Sequence, residues 1–274
     1  MPQILDYNGQ EADRTVSVSS IRALRRSGSQ LAQVTASTAE EAAAAETAGI
    51  EMVVCMAGSV MSLREGSKRV FITAAIDFDG AVRLDELLST AFEALSQGAD
   101  AVITARRMEV VRHLAEEDIP VMGHLGFVPK KSTLYGGIRA VGKTTEEATA
   151  LWKQFQRLED AGAFAVECEL IPENLMSEIN LRTGMTTISL GSGPDADVMF
   201  LFTSDICGES TRVPRHARTY GDLAKLYAQI AEERVNALSA FRADVAEKRF
   251  PDETEVVRID GDVVKSFVEG LDAS

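Results

Sequence analysis

Three side chains that could transfer protons stand directly after two apolar segments of the sequence. His124 lies in a Gly-His-Leu-Gly motif after the apolar run 119–122, and Glu167 and Glu169 follow the apolar run 164–166. Residues two apart on a strand point to the same side, so the two carboxylates should share a face. A carboxylate is costly to desolvate unless it is paired or used, which makes Glu169 a candidate general base. His124 is the candidate for stabilising a reacting oxygen. The alternative for His124 is a structural histidine bonded to the backbone, and the alternative for Glu169 is an ordinary glutamate at the rim of the fold.

A glycine-rich segment adds a candidate binding group. Ser192 stands between Gly191 and Gly193, at the end of another apolar segment. Successive backbone amides in such a turn can form a concave nest for an anion or a carboxylate. Ser192 is therefore predicted to contact the substrate.

A repeated pattern of helix, glycine and apolar strand must position these residues. The pattern occurs three times, over residues 39–54, 84–104 and 149–169. In each repeat, a helix-forming stretch rich in alanine and glutamate ends at a glycine, which can adopt the left-handed conformation that closes a helix. The strand that follows is apolar almost throughout, as in parallel strands that are covered by helices on both sides.

Five further apolar segments raise the number of candidate strands to eight: residues 30–35, 69–76, 119–125, 186–192 and 197–202. Eight strands alternating with helices in roughly 250 residues are typical of a closed (β/α)₈ TIM barrel, an α/β fold. Active sites of such barrels lie where the strands end, which is where the candidate residues occur. An open doubly wound sheet is the alternative, but the first strand is not followed by its glycine-rich fingerprint.

The sequence predicts one domain, with three regions. Residues 1–25 form a polar N-terminal extension, residues 26–255 the barrel, and residues 256–274 a C-terminal tail. No linker rich in proline, glycine or serine interrupts the chain. Residues 222–249 have the pattern of a long amphipathic helix.

Charge and composition exclude several classes of partner. The 274 residues include 28 Lys and Arg against 42 Asp and Glu, a net charge of −14. Nucleic acids and anionic membranes require a basic surface, so neither is an expected partner. No apolar run reaches the length of a membrane span, no signal peptide is evident, and the three cysteines lack zinc-site spacing. We expect a cytoplasmic protein.

Several motifs together resemble the ketopantoate (3-methyl-2-oxobutanoate) hydroxymethyltransferase family. Residues 119–144, IPVMGHLGFVPKKSTLYGGIRAVGKT, are similar to its Gly-His-Leu-Gly strand and the glycine loop that follows. In residues 161–175, Glu169 and Pro172 occupy matching positions, and shorter matches extend the resemblance over roughly residues 30–255. The resemblance implies a barrel of the phosphoenolpyruvate/pyruvate superfamily and a homo-oligomer. It further implies Mg²⁺ that chelates a small keto acid held as an enolate, a glutamate acid/base at Glu169, and a hydroxymethyl group from methylene-tetrahydrofolate.

The sequence departs from the family at its metal-binding positions. Three family carboxylates and one substrate-binding lysine are replaced, respectively, by Ala57, Ala75, Ala105 and Ile103. Mg²⁺ needs oxygen ligands, and alanine offers none, so we expect no metal cofactor. Asp77 and Asp79 lie two and four residues beyond Ala75 and are the remaining candidates to rescue a metal site.

These observations favour a divergent member of the family that acts without a metal on a 2-oxo acid or β-dicarbonyl compound. The reaction would be C–C bond formation, C–C cleavage or enolisation through an enolate. Glu169 would move the proton, and His124 with the backbone amides near Gly58 and Ser59 would stabilise the oxyanion. Two alternatives stay open: a genuine 3-methyl-2-oxobutanoate hydroxymethyltransferase that uses methylene-tetrahydrofolate, and a non-catalytic metabolite-binding protein.

Overall fold

The computed structural model describes residues 3–25, 27–76 and 82–272. The chain divides into two compact units, Met1–Gly221 and Asp222–Ser274. The first unit holds all the candidate site residues. Its strands are β1 (Ile4–Leu5), β2 (Glu11–Ala12), β3 (Leu31–Thr35), β4 (Met52–Met56), β5 (Phe71–Ala75), β6 (Ala101–Thr104), β7 (Val121–Gly126), β8 (Ala165–Glu169), β9 (Thr186–Leu190) and β10 (Val198–Leu201).

Helices follow the strands around the first unit. They are α1 (Val18–Leu24), α2 (Ala39–Thr47), α3 (Val60–Gly66), α4 (Leu84–Ser96), α5 (Met108–Glu116), α6 (Ser132–Tyr135), α7 (Thr145–Asp160), α8 (Glu173–Asn180) and α9 (Thr203–Ile206), with 3₁₀ turns at Ala57–Ser59 and Pro129–Lys131.

Strands β3 to β10 form a closed parallel barrel in the order β10-β3-β4-β5-β6-β7-β8-β9. The predicted (β/α)₈ barrel is confirmed, and each of the eight predicted segments overlaps one of its strands. In the register between β7 and β8, His124 pairs with Glu167 and Gly126 pairs with Glu169. Because all eight strands are parallel, their carboxyl ends lie at one mouth of the barrel.

Two apolar layers hold the barrel together. Met52, Phe71 and Met122 belong to a cluster inside the barrel, and Leu114 and Phe155 belong to a second cluster between strands and helices. Strands buried on both sides explain the unbroken apolar runs of the sequence. The glycines predicted to end α2, α4 and α7 have the expected left-handed conformation, with φ of +80° at Gly49, +106° at Gly98 and +96° at Gly162.

The N-terminal region is more than the polar extension expected for residues 1–25. Ser17 caps α1, and Ile21 in that helix is 1 % exposed within the interior cluster of the barrel. The Nε atom of Arg14 donates to Asp100 Oδ1 at 2.7 Å, just before β6 begins. These contacts make the region part of the barrel unit. The sequence did not predict them, because single apolar residues among polar neighbours form no recognisable pattern.

The second unit consists of α10 (Leu223–Ala246) and α11 (Gly261–Asp272). The predicted long helix is present, but the division of the chain lies after Gly221 rather than after residue 255. The predicted barrel region ran to residue 255, and no residue of α10 is buried. Within the described ranges, every helix is too short or too polar to cross a membrane.

Candidate active site

Two glycines bring the ends of β7 and β8 together. A Cβ atom on Gly123 would lie 2.3 Å from Leu158 Cδ2, so the Leu158 side chain of α7 packs directly on this glycine. Gly126 has φ of +87°, and a Cβ atom there would lie 2.2 Å from the carbonyl oxygen of Glu169. Gly126 is therefore a steric requirement of the Gly-His-Leu-Gly motif, because the clash is with backbone and its φ is positive. The two glycines place His124 beside Glu169.

The imidazole of His124 lies between two carboxylates. Its Nε2 atom is 3.1 Å from Glu169 Oε2 and also 3.1 Å from the carbonyl oxygen of Phe127. A carbonyl oxygen only accepts hydrogen bonds, so Nε2 must carry the proton and donate it to both oxygens. The other nitrogen, Nδ1, is 3.8 Å from Glu167 Oε1, a distance for charge attraction rather than for a hydrogen bond. We call His124, Glu167 and Glu169 the His124 cluster.

The cluster is largely removed from solvent, which strengthens its electrostatics. The side chains of His124 and Glu169 are each 13 % exposed, and that of Glu167 is 7 % exposed. Burial acts to lower the pKa of His124, but the hydrogen bond to Glu169 and the charge of Glu167 outweigh it and raise the pKa above its ordinary value. Burial raises the pKa of Glu167, and the charge of His124 only partly opposes this. The cluster therefore favours the cationic form of the imidazole beside Glu169.

The backbone after Glu169 is held in an unusual conformation. Leu170 has φ of +51°, a left-handed conformation that costs a branched residue about 1 kcal/mol or more. Its N–H donates to the carbonyl of Leu190 at 3.0 Å, and its carbonyl accepts from the N–H of Val141 at 3.0 Å. These bonds to β9 and to the loop before α7 fix the turn. Glu169 thus ends β8 in a set position at the mouth.

Ser192 supports the same segment from β9. Its hydroxyl donates to the carbonyl of Cys168 at 2.7 Å and accepts from the N–H of Ile171 at 2.9 Å. These two backbone groups bracket Glu169, and Ser192 itself is 2 % exposed. The structure uses the hydroxyl proton of Ser192 within the protein. Contact of Ser192 with a substrate stays a prediction.

Gly58 and Ser59 lie at the same mouth but apart from the His124 cluster. They follow β4, which is separated from β7 by β5 and β6. Both belong to the 3₁₀ turn at Ala57–Ser59, and Ser59 is the cap residue of α3. Gly58 is exposed, and a Cβ atom there would meet nothing within 4 Å. A substrate would have to span the mouth to touch both these amides and the cluster.

The positions that match the family's metal ligands carry methyl groups. Ala57 is 5 % and Ala75 8 % exposed, and Ala105 lies just beyond the end of β6. Mg²⁺ requires several oxygen ligands, so this donor set does not fit the ion. Asp77 and Asp79, the candidates for rescuing a metal site, lie outside the described residues.

Sequence reasoning undervalued Glu167. Its spacing from Glu169 indicated a shared face, but the family resemblance predicted a catalytic role for Glu169 alone. The structure shows Glu167 opposite His124 on the neighbouring strand. The useful signal was a charged residue inside an otherwise apolar parallel strand, where burial on both sides is expected.

Comparison with known proteins agrees with this architecture. The model of the ketopantoate hydroxymethyltransferase family matches residues 55–253. The 3-methyl-2-oxobutanoate hydroxymethyltransferase of Pyrobaculum islandicum is 36% identical over 170 residues, which span 61% of this chain and 62% of that protein. The aligned part thus covers about three fifths of that relative. The enzyme of the same name from Thermobifida fusca is 28% identical over 272 residues, 89% of this chain and 94% of the relative.

Solved structures share the fold at low sequence identity. A phosphonopyruvate hydrolase in complex with oxalate and Mg²⁺ superposes with a TM-score of 0.52 at 14% identity, covering 93% of this chain and 99% of that one. A 2,3-dimethylmalate lyase of the PEP mutase/isocitrate lyase superfamily has a TM-score of 0.52 at 13% identity, covering 88% and 92%. At such identity the likeness shows the barrel alone.

The raised pKa of His124 predicts how its contribution to stability depends on pH. A group whose pKa is higher in the folded state stabilises fully below its unfolded pKa, here 6.5, and less as pH rises through the folded value. The free energies of unfolding of the wild type and of His124→Gln, measured by urea titration with intrinsic fluorescence, should therefore differ more at about pH 6 than at about pH 9. A stability difference that stays constant or grows with pH would contradict the assigned charge of His124.

Proposed function

The chain belongs to the ketopantoate hydroxymethyltransferase family, and we propose that it is a divergent member that works without a metal ion. It acts on a 2-oxo acid or β-dicarbonyl compound through an enolate, forming or breaking a C–C bond or moving a proton. One observation carries the proposal. The His124 cluster occupies the mouth of the barrel, while Ala57, Ala75 and Ala105 offer a metal no oxygen ligand.

Glu169 and His124 divide the proton transfer between them. Glu169 takes a proton from the carbon next to the substrate carbonyl, so that the C–H bond breaks and its electron pair moves onto the carbonyl oxygen. Glu169 becomes neutral in this step, and the cationic His124 then lies beside the new negative charge. Fixed charges in a site of low water content are effective at stabilising such an oxyanion.

Glu167 favours the protonated form of His124. Its carboxylate lies on the Nδ1 side of His124, away from Glu169, and its attraction favours the protonated imidazole. Ser192 and Leu170 hold the backbone on which Glu169 stands. The chain's own residues thus supply a base and a cation next to each other.

The replaced positions also indicate the kind of substrate. Ile103, which is 7 % exposed, stands where the family has a substrate-binding lysine, and Ala75 lies beside it in the register of β5 and β6. Met56 adds a 40 % exposed apolar side chain at the end of β4. A wall of this composition favours a more apolar and bulkier group next to the reacting carbon.

Two other functions are measured against this one. The names of the relatives favour a genuine 3-methyl-2-oxobutanoate hydroxymethyltransferase that uses methylene-tetrahydrofolate. Loss of the metal ligands would also suit a protein that binds a metabolite without turnover. Exchange of the proton next to the keto group for deuterium separates all three. The proposed enzyme should catalyse this exchange in the presence of a chelator. A genuine hydroxymethyltransferase should catalyse it only with Mg²⁺, and a binding protein should not catalyse it at all.

We also propose a homo-oligomer in the cytoplasm. Apolar side chains along α10, among them Leu226, Ile230, Leu238 and Phe241, are each half exposed or more. A row of exposed apolar side chains on one helix is typical of a protein–protein contact. Cys55, Cys168 and Cys207 are free thiols, as is usual in a reducing compartment.

Removing the charge of Glu169 should abolish most proton exchange. In D₂O with 3-methyl-2-oxobutanoate and larger 2-oxo acids as probes, Glu169→Gln should slow exchange about a hundredfold or more, the usual contribution of a general base. Glu167→Gln should slow it less, because Glu167 acts only through His124. Glu117→Gln, on the exposed end of α5, is the control and should keep the wild-type rate. Near-normal exchange in Glu169→Gln, followed by NMR, would rule out the assigned role.

Activity should survive removal of divalent ions. Proton exchange measured after dialysis and in excess EDTA should match the rate with added Mg²⁺ within about twofold, since Ala57, Ala75 and Ala105 supply no ligands. Metal analysis of the same sample provides the control. A stoichiometric divalent ion, together with exchange that stops in EDTA, would favour the genuine hydroxymethyltransferase.

The oligomer prediction is checked by sedimentation velocity at micromolar concentration. The wild type should sediment as an assembly well above the 29.6 kDa of one chain. Replacing Leu238 with glutamate should shift it toward smaller species, because a charge in an apolar contact is costly. Wild-type protein that sediments only as a monomer would refute the proposal.

A further inference from the structure

A cavity at the C-terminal edge of the barrel carries positive charge that the proposed reaction does not use. Its volume is about 890 Å³, and His124 and Thr104 belong to its lining. Five basic side chains line it as well: Arg106, Arg107, Lys130, Lys131 and Arg157. Among its described lining residues, none is acidic. A volume of this size accommodates a small organic molecule.

This charge is the opposite of what the chain as a whole would produce. The chain has 42 acidic and 28 basic residues, so a random patch of its surface is acidic. Arg107 pairs with Glu109 at 3.1 Å, and both side chains are exposed. Lys131 and Arg157 form no ion pair with any residue that the structure describes. The charges of Lys131 and Arg157 in a concave site raise the local concentration of anions.

The first turn of α5 adds to the same field. The helix starts at Met108 after Arg107, and the Arg107 side chain does not cap it; Glu109, the acidic residue of this turn, is paired with Arg107. Met108 and Val110 of that turn also line the cavity. Uncapped N–H groups at a helix N-terminus carry partial positive charge and favour a nearby anion. The helix end and the basic side chains come from separate parts of the chain, yet they meet at one cavity.

We propose that this cavity binds a multiply charged anionic group of the substrate, namely a phosphate ester or a group of carboxylates. The group lies against Lys131 and Arg157, and the reacting carbonyl lies at His124 and Glu169. The statement that the anion is part of the substrate rests on the proposed function; the binding of the anion does not. The substrate is then a keto compound with a second, strongly anionic end.

Calorimetric titration of the full chain at low ionic strength, in EDTA, tests the site. Inorganic pyrophosphate is the probe for the phosphate source and citrate for the carboxylate source, with acetate as the singly charged reference. At least one of the two probes should bind with one-to-one stoichiometry and more tightly than acetate. The double variant Lys131→Gln/Arg157→Gln should weaken that binding about tenfold, the combined effect of two partly exposed charge pairs.

A matched double variant separates a local site from net charge. Arg112→Gln/Lys153→Gln removes two exposed cations, one from α5 and one from α7, and neither side chain lines the cavity. It should leave binding within about twofold of the wild type. Equal weakening in both double variants, or saturable binding by neither probe, would overturn the proposal. Glu169→Gln should still bind the anion, so a failure of this site and a failure of the proposed reaction give different results.

Discussion

The candidate active site depends on one interaction, the hydrogen bond between His124 Nε2 and Glu169 Oε2 at 3.1 Å. An imidazole that donates to a carboxylate on one side and faces a second carboxylate on the other is stabilised as a cation. This cation is the only positive charge that the described residues place directly beside Glu169. Because it is fixed by the backbone of two neighbouring strands, it is already in place when negative charge develops on a substrate.

Much of the surrounding structure serves to make that contact possible. Gly126 allows β7 and β8 to approach so closely that any Cβ atom would collide with the carbonyl of Glu169. Ser192 bonds the backbone on both sides of Glu169, and Leu170 turns the chain at once after it. Under the proposed function, this arrangement would balance the charge of an enolate in place of the metal that the family resemblance implies. The alanines at the matching metal positions are consistent with such a change.

The sequence was informative wherever a pattern repeats or a motif is rigid. Helix, glycine and apolar strand recur often enough to predict the barrel, and the glycines around His124 indicated a strand end. The packing of Ile21 into the barrel interior had no such pattern, because one apolar residue in a polar segment carries no periodicity. Ser192 looked like a binding residue because glycines surround it, but its role in the backbone depends on β8, which is distant in sequence. The basic cavity could not be foreseen either, since Arg107, Lys131 and Arg157 come together only through the fold.

The protonation state of His124 tests the central claim most directly. Nitrogen NMR of the full chain labelled on histidine, with the His124 signals assigned through His124→Gln, reports both ring nitrogens during a pH titration. Both nitrogens should stay protonated at pH values above the ordinary histidine midpoint of 6.5, and Glu167→Gln should move the midpoint down. A neutral imidazole at pH 6.5, or a midpoint that neither Glu167→Gln nor Glu169→Gln changes, would contradict this claim.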